Sequence, residues 1–212
     1  MLTSLPNQLM NWLLPPLCVH CSHEGQWLCQ AAHQQLAMAP TVEAVKLVGC
    51  QSVYIRAGYD CPPLKAFIQR LKYSNWTAAE ELLGELLRPL ESDLARLPKT
   101  STIVPVPLHP RRQRARGFNQ SELIARAVGK ITGRPLVPVL RRTRDTETQT
   151  ALSADERQKN VADAFTAVAE LPTDTWLLVD DVITTGATMT ACAQALRRRG
   201  ARYVFACALA KG

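Results

Sequence analysis

No stretch of this chain is apolar for long enough to cross a bilayer. Residues 9–19 are apolar but short, and Asn11, Pro15 and Pro16 interrupt them. The N-terminus also lacks a basic region ahead of a clean apolar segment, so no secretory leader is read there and the expected compartment is the cytoplasm. No internal repeat or low-complexity tract occurs. Aromatic residues are scarce, four each of Trp, Tyr and Phe, and few interleave with the arginines. That weakens a stacking platform for single-stranded nucleic acid. Acids are the minority charge, 18 Asp and Glu against 25 Lys and Arg, for a net +7. The imbalance favours anionic partners such as phosphates, nucleotides or nucleic acid without saying which. Nor is there a GxxxxGK followed by Ser or Thr, and the dinucleotide fingerprint places its glycines before its acid, the reverse of what occurs here.

What remains is an ordinary globular composition, 47% hydrophobic and 20% charged over 212 residues. That length buries a real core in one domain, with room for a small appendage. Seven cysteines are placed unevenly. Cys18, Cys21 and Cys29 crowd the start, Cys50 and Cys61 follow, and Cys192 and Cys207 sit in apolar surroundings as core residues. In a reducing compartment the first three read as a metal cluster rather than as disulfide partners. Cys18-x2-Cys21 is half of a tetrahedral zinc site, and zinc takes four sulfur or nitrogen ligands.

Three regions emerge. Residues 1–40 are Cys/His-rich and proline-broken. Residues 41–100 carry one strand-like run and two helical ones. In PPLKAFIQRLKYSNW, residues 62–76, Leu64, Phe67, Ile68 and Leu71 repeat at helical spacing and leave Lys65, Gln69 and Lys72 on another face. EELLGELLRPLESDLARL, residues 80–97, is a second helix broken near Pro89. From 101 on, strand and helix alternate. STIVPVPLH (101–109), PLVPVL (135–140), WLLVDD (176–181) and ARYVFACALA (201–210) read as strands; 118–133, stopped by Gly133, and 188–200 read as helices. Such alternation argues for a parallel α/β sheet.

The chemistry concentrates at WLLVDDVITTGATMTACAQALRRRG, residues 176–200. WLLV is uniformly apolar, as a strand covered on both faces should be. Asp180 and Asp181 then emerge at the carboxyl end of the strand, where parallel sheets bind ligands. Thr184, Thr185, Gly186, Ala187 and Thr188 follow, small or hydroxylated, and lead into a helix. Such a turn aims backbone amides at one point next to a helix start, a natural seat for a phosphate. Two neighbouring acceptor-only groups suit a ribose diol, so the motif is read as a ribose 5-phosphate site. The bland alternative has Thr184 or Thr185 merely capping the helix; capping needs one such residue and leaves the others unexplained. Arg197, Arg198 and Arg199 occupy the last turn of that helix, where cations complement its dipole.

LLVDDVITTGAT resembles the phosphoribosyl-diphosphate (PRPP) motif of type I phosphoribosyltransferases. More narrowly, VPVPLHPRRQRARGFNQSELIA, QTALSADERQKNVADAF and the Cys-rich start together resemble the ComF/GntX family, linked to DNA uptake in natural transformation. The resemblance covers nearly the whole chain. It implies a type I phosphoribosyltransferase-like α/β core over 41–212, with 41–100 as hood and 101–212 as core, behind a zinc-ribbon-like module over 1–40. It implies that Asp180 and Asp181 hold the ribose hydroxyls, that 184–188 hold the 5-phosphate, and that Mg2+ accompanies PRPP.

The same resemblance puts the stretch after the first core strand, with His109, Arg111, Arg112, Arg114 and Arg116, against the pyrophosphate. From composition alone it is equally a solvated basic loop or a nucleic-acid patch. It implies a segment that closes over substrate, with Gln149, Arg157 and Asn160, where composition gives only a flexible loop and a helix start near Ser153. Lys72 and Tyr73 match a pair beside the pocket, although a solvated lysine explains Lys72 as well. The family pattern supplies a second Cys-x2-Cys. Here Cys29 is followed by Gln30, Ala31 and Ala32, so His33 is the candidate fourth zinc ligand, with His20 and His23 behind it; the alternative is a finger that no longer binds metal. As an enzyme the chain would transfer ribose 5-phosphate from PRPP and release pyrophosphate. The competing class is a non-catalytic protein that handles single-stranded DNA, together with other DNA-uptake proteins.

Overall fold

The computed structural model describes residues 15–42, 45–72, 79–143, 164–168 and 171–212. Its helices are α1 (Gln30–Met38), α2 (Pro62–Leu71), α3 (Ala79–Leu87), α4 (Glu91–Ala95), α5 (Pro110–Arg116), α6 (Gln120–Thr132) and α7 (Ala187–Arg197). Its strands are β1 (Val53–Gly58), β2 (Thr102–Pro105), β3 (Leu140–Arg142), β4 (Phe165–Ala167), β5 (Thr175–Ile183) and β6 (Tyr203–Lys211). Four of these strands make the main sheet in the order β1-β6-β5-β2, every pairing parallel. β3 and β4 form a separate antiparallel pair.

Because strand side chains alternate, β5 feeds two cores. Leu177 and Val179 pack with α2, α3 and α6 on one face, among Leu64, Phe67, Ile68 and Ile124. Trp176 and Leu178 pack with Met189, Cys192 and Leu196 of α7 on the other. A strand covered on both sides must be apolar throughout, which is why WLLV shows no alternation of its own. The central β6 serves the same two cores with Ala206, Cys207, Ala208 and Ala210, all fully buried. Leu64, Phe67, Ile68 and Leu71, the stripe predicted for α2, are each 0% exposed. Truncating one of them to Ala should cost about 2–5 kcal/mol. Pro89 breaks the next helical stretch as expected, in a 3-10 turn over Arg88–Leu90.

α6 begins and ends where its sequence says. The side chain of Asn119 accepts from the Ser121 amide, and Gly133 ends the helix at φ 68°, the left-handed conformation that favours glycine.

Two expectations change. PLVPVL is not a full strand of the parallel sheet. Only Leu136 bridges to Ile103, and the chain then passes to β3 in the smaller sheet. Pro135 and Pro138 lack the N–H groups a ladder needs, so the pairing stops there. The basic stretch after β2 is not a loop either: it contains α5, which starts at Pro110 with His109 as N-cap.

The Cys-rich start folds as a turn closed by a Leu17–Glu24 bridge and followed by α1. Leu28, Ala32 and Leu36 join the first core, so this module packs on the sheet domain. Buried Arg56 of β1 fastens it by donating to the carbonyls of Leu36 and Ala39 at the end of α1.

Candidate ribose-phosphate site at the end of β5

β2 runs alongside β5 only as far as Pro105, opposite Val179, and one more bond joins the Val106 amide to the Val179 carbonyl. Asp180 and Asp181 therefore lie past the end of β2, while β6 still supports them from the other side through Asp180↔Ala208. Alternation sends the two carboxylates different ways. Asp180 Oδ1 accepts from Ser121 Oγ at 2.8 Å and from the Asp181 amide at 2.9 Å. Asp181 Oδ1 accepts from the Val182 amide at 2.8 Å, and Oδ2 lies 3.3 Å from Lys72 Nζ. Burial, and then the neighbouring charge of Asp181, push the Asp180 carboxyl up to about 7. Near neutral pH Asp180 therefore exchanges between an acceptor-only carboxylate and a carboxyl that also donates.

The turn beyond is shaped by one glycine. Gly186 has φ 80°, a left-handed conformation that favours glycine, and a Cβ there would lie 2.2 Å from Leu47 Cδ2, so the Leu47 side chain would have to shift. Of the nearby amides, Ala187 donates to Thr185 Oγ1 at 3.4 Å and Thr190 donates to the Gly186 carbonyl. Those of Thr185, Gly186 and Thr188 donate to nothing among the described residues. Undonated amides at the start of the 11-residue α7 are what an oxyanion needs. Lys211 Nζ holds the Thr184 carbonyl from the rear at 2.8 Å.

The basic stretch leaves the sheet at the same edge as Asp180. His109 caps α5 by accepting from the Arg111 amide at 3.3 Å. Arg111 and Arg114 are exposed, while Arg112 and Arg116 are half-buried. Lys72 is thus brought to the acid pair. Tyr73, Gln149, Ser153, Arg157 and Asn160 lie outside the described residues.

In the Cys-rich module the sulfurs of Cys18, Cys21 and Cys29 lie within 4.8 Å of one another. Cys21 Sγ and Cys29 Sγ are 3.5 Å apart. Sulfurs around one tetrahedral zinc are about 3.8 Å apart, so the donor set fits three of four positions. For Cys18, burial works against ionisation. Backbone hydrogen bonds from Cys29, Cys21 and His20 outweigh it and bring the thiol down to about 7. His33 does not join them. One full turn into α1, it faces α3 instead, with Nε2 3.9 Å from Glu85 Oε2. His20 and His23 are exposed and outside the cluster as well.

Sequence reasoning missed Ser121. Its signal was present: a serine just inside a helix capped by asparagine, in a stretch that leads back to the sheet edge. The contribution of Leu47 to the glycine turn had no local signal, since it comes from 139 residues away in the chain.

Residues 119–212 match the family model of the phosphoribosyl transferase domain. The chain is 33% identical over 203 residues to Competence protein F of Haemophilus influenzae, covering 92% of this chain and 85% of that one. It is 33% identical over 213 residues to DNA utilization protein YhgH of Escherichia coli, covering 96% and 92%. A 49-residue stretch, 23% of this chain, is 45% identical to ribose-phosphate pyrophosphokinase of Prochlorococcus marinus, of which it covers 15%. Among the described residues no helix is long and apolar enough to cross a membrane. With a parallel sheet flanked by helices, a cysteine cluster before it, and relatives alike along almost their whole length, the chain belongs to the ComF family of type I phosphoribosyltransferase-like proteins.

Proposed function

We propose that the chain binds PRPP, or a related ligand containing ribose 5-phosphate, at the carboxyl edge of its sheet and acts in DNA uptake or utilisation. The observation that carries the reading is the run from Asp180 to Thr188: an acid pair past the end of β2, followed by a glycine turn with undonated amides. The carboxylates take the ribose hydroxyls, the amides and threonine hydroxyls take the 5-phosphate, and the guanidinium groups of 111–116 meet the diphosphate. The place in DNA metabolism rests on what the relatives are called, a competence protein and a DNA utilization protein.

As a transferase the site works by position and charge. It fixes the sugar, neutralises the departing pyrophosphate and leaves the anomeric carbon open to the acceptor. Mg2+ fits as a companion of the diphosphate and its waters, where it neutralises charge on the leaving group. Cys18, Cys21 and Cys29 would hold Zn2+, which would fasten the turn of the module over 1–40 to the start of α1.

Titration calorimetry with PRPP and Mg2+ tests the reading. Binding by the wild type and its loss in Asp180→Asn/Asp181→Asn, with the fold retained by circular dichroism, is the expected result. Unchanged affinity overturns the ribose assignment. Pyrophosphate release against a panel of bases and single-stranded DNA then identifies an acceptor.

A second reading, a non-catalytic handler of single-stranded DNA, is favoured by the exposed Arg111 and Arg114 of α5. It requires affinity that falls steeply with salt, and a flat salt response removes it.

A further inference from the structure

The ribose-phosphate site uses none of the residues around a second cavity, of about 360 Å³, between the Cys-rich module and the sheet domain. Leu28, Leu36 and Leu86 make its apolar wall, and Arg56, Arg88 and Glu85 its charged groups. Arg56 is the unusual member. It projects from β1 and is only 3% exposed. Its two terminal nitrogens donate to the carbonyls of Leu36 and Ala39, while its Nε–H is buried and donates to nothing among the described residues. No carboxylate among the described residues pairs with it. Glu85, the acid of this cavity, lies beside His33 instead.

A buried cation without a counter-charge is costly, and carbonyl dipoles offset only part of that cost. Burial accordingly pulls the Arg56 pKa below its ordinary value. Arg88, exposed at the mouth, adds a second guanidinium. A volume in the lower part of the range for small-molecule sites, a mostly apolar wall and two guanidinium groups define one ligand class.

We propose that this cavity is a second ligand site, for a small organic anion whose phosphate or carboxylate group meets Arg56 and Arg88 and whose apolar body lies against Leu28, Leu36 and Leu86. Such a ligand bridges α1 and the turn after α3, so its binding also braces the module on the core. The site is independent of PRPP binding, and either can fail without the other.

Phenyl phosphate is the probe, titrated by calorimetry into the full-length protein. The expected result is saturable binding of one equivalent, weakened about tenfold or more in Arg88→Ala, the loss of one charge-assisted contact. Binding should be unchanged in Asp180→Asn/Asp181→Asn, and Glu85→Gln should tighten it by removing a repelling charge. Arg88 carries the test because Arg56→Met also strips α1 of its fastening. Inorganic phosphate should bind more weakly than phenyl phosphate, since it lacks the apolar body. Absence of saturation, equal affinity in Arg88→Ala, or loss of binding in the aspartate double variant overturns the proposal. So does equal affinity for cyclohexylamine, a cation of similar size.

Discussion

Ser121 Oγ donates to Asp180 Oδ1 at 2.8 Å, joining the first turn of α6 to an acid 59 residues further along. That bond selects the direction in which Asp180 leaves β5. It also favours the ionised carboxylate, against the burial that opposes it.

Ser121→Ala should therefore act on ligand binding as well as on stability. A hydrogen bond to a charged group is worth about 1.5–3 kcal/mol. PRPP affinity should fall about tenfold or more, with α6 still folded because Asn119 caps it. Calorimetry checks this, and Ser121→Thr should restore part of the loss. Equal affinity in Ser121→Ala would mean that the bond orients nothing the ligand uses.

Stability should depend on pH through Asp180. Its carboxyl moves from an ordinary 3.8 up to about 7, so the folded chain holds a proton that the unfolded chain has already released. That contribution is complete below the ordinary value and is lost as pH rises through about 7. Asp180→Asn, neutral throughout, should match wild type near pH 3, open a growing gap above the ordinary value, and exceed wild type most near pH 8, by about 2–4 °C in Tm per kcal/mol. Scanning calorimetry at several pH values measures the gap, and a gap independent of pH contradicts the assignment.

Gly186→Ala combines two faults. The left-handed backbone costs a side chain about 1–2 kcal/mol, and the clash with Leu47 costs about 1–3 more. Adding Leu47→Ala should relieve the second fault and leave the first. In a double-mutant cycle the pair should therefore cost less than the sum of the two changes. Additivity within about 0.5 kcal/mol would show that Leu47 moves aside freely.

Metal analysis of purified protein should find about one zinc per chain, and a strong chelator should lower Tm. Cys29→Ser should lose the metal. Ala32→Cys should tighten its retention if a fourth sulfur at that spacing completes the set. Metal-free protein with an unchanged Tm would mark the cysteines as structural thiols only.

Much of this was legible in the chain itself. The stripe of Leu64, Phe67, Ile68 and Leu71 fixed a helix face, and WLLV followed by two acids fixed a buried strand that carries both acids past the end of its neighbour, because burial imposes those periods directly. PLVPVL misled, since its apolar residues have the right character while its prolines remove the donors. His33 misled in another way. Spacing from Cys29 was right for a ligand, but helix geometry turned it toward Glu85. Ser121 on Asp180, Leu47 on Gly186 and Arg56 under α1 are all contacts between distant segments, and no local pattern encodes them.

Unequal strand length has a further effect. β2 has 4 residues and β5 has 9, so the stretch from Asp180 to Ile183 overhangs the last rung of β2. The amides of the overhang are held by the acids themselves, Asp181 N–H on Asp180 Oδ1 and Val182 N–H on Asp181 Oδ1, so the ledge orients its carboxylates with its own backbone. The ledge comes from a neighbour that stops early, with Pro107 next in line after the final rung. Extending that neighbour by two residues would set its backbone beside both acids and compete for those amides, with no change to either aspartate.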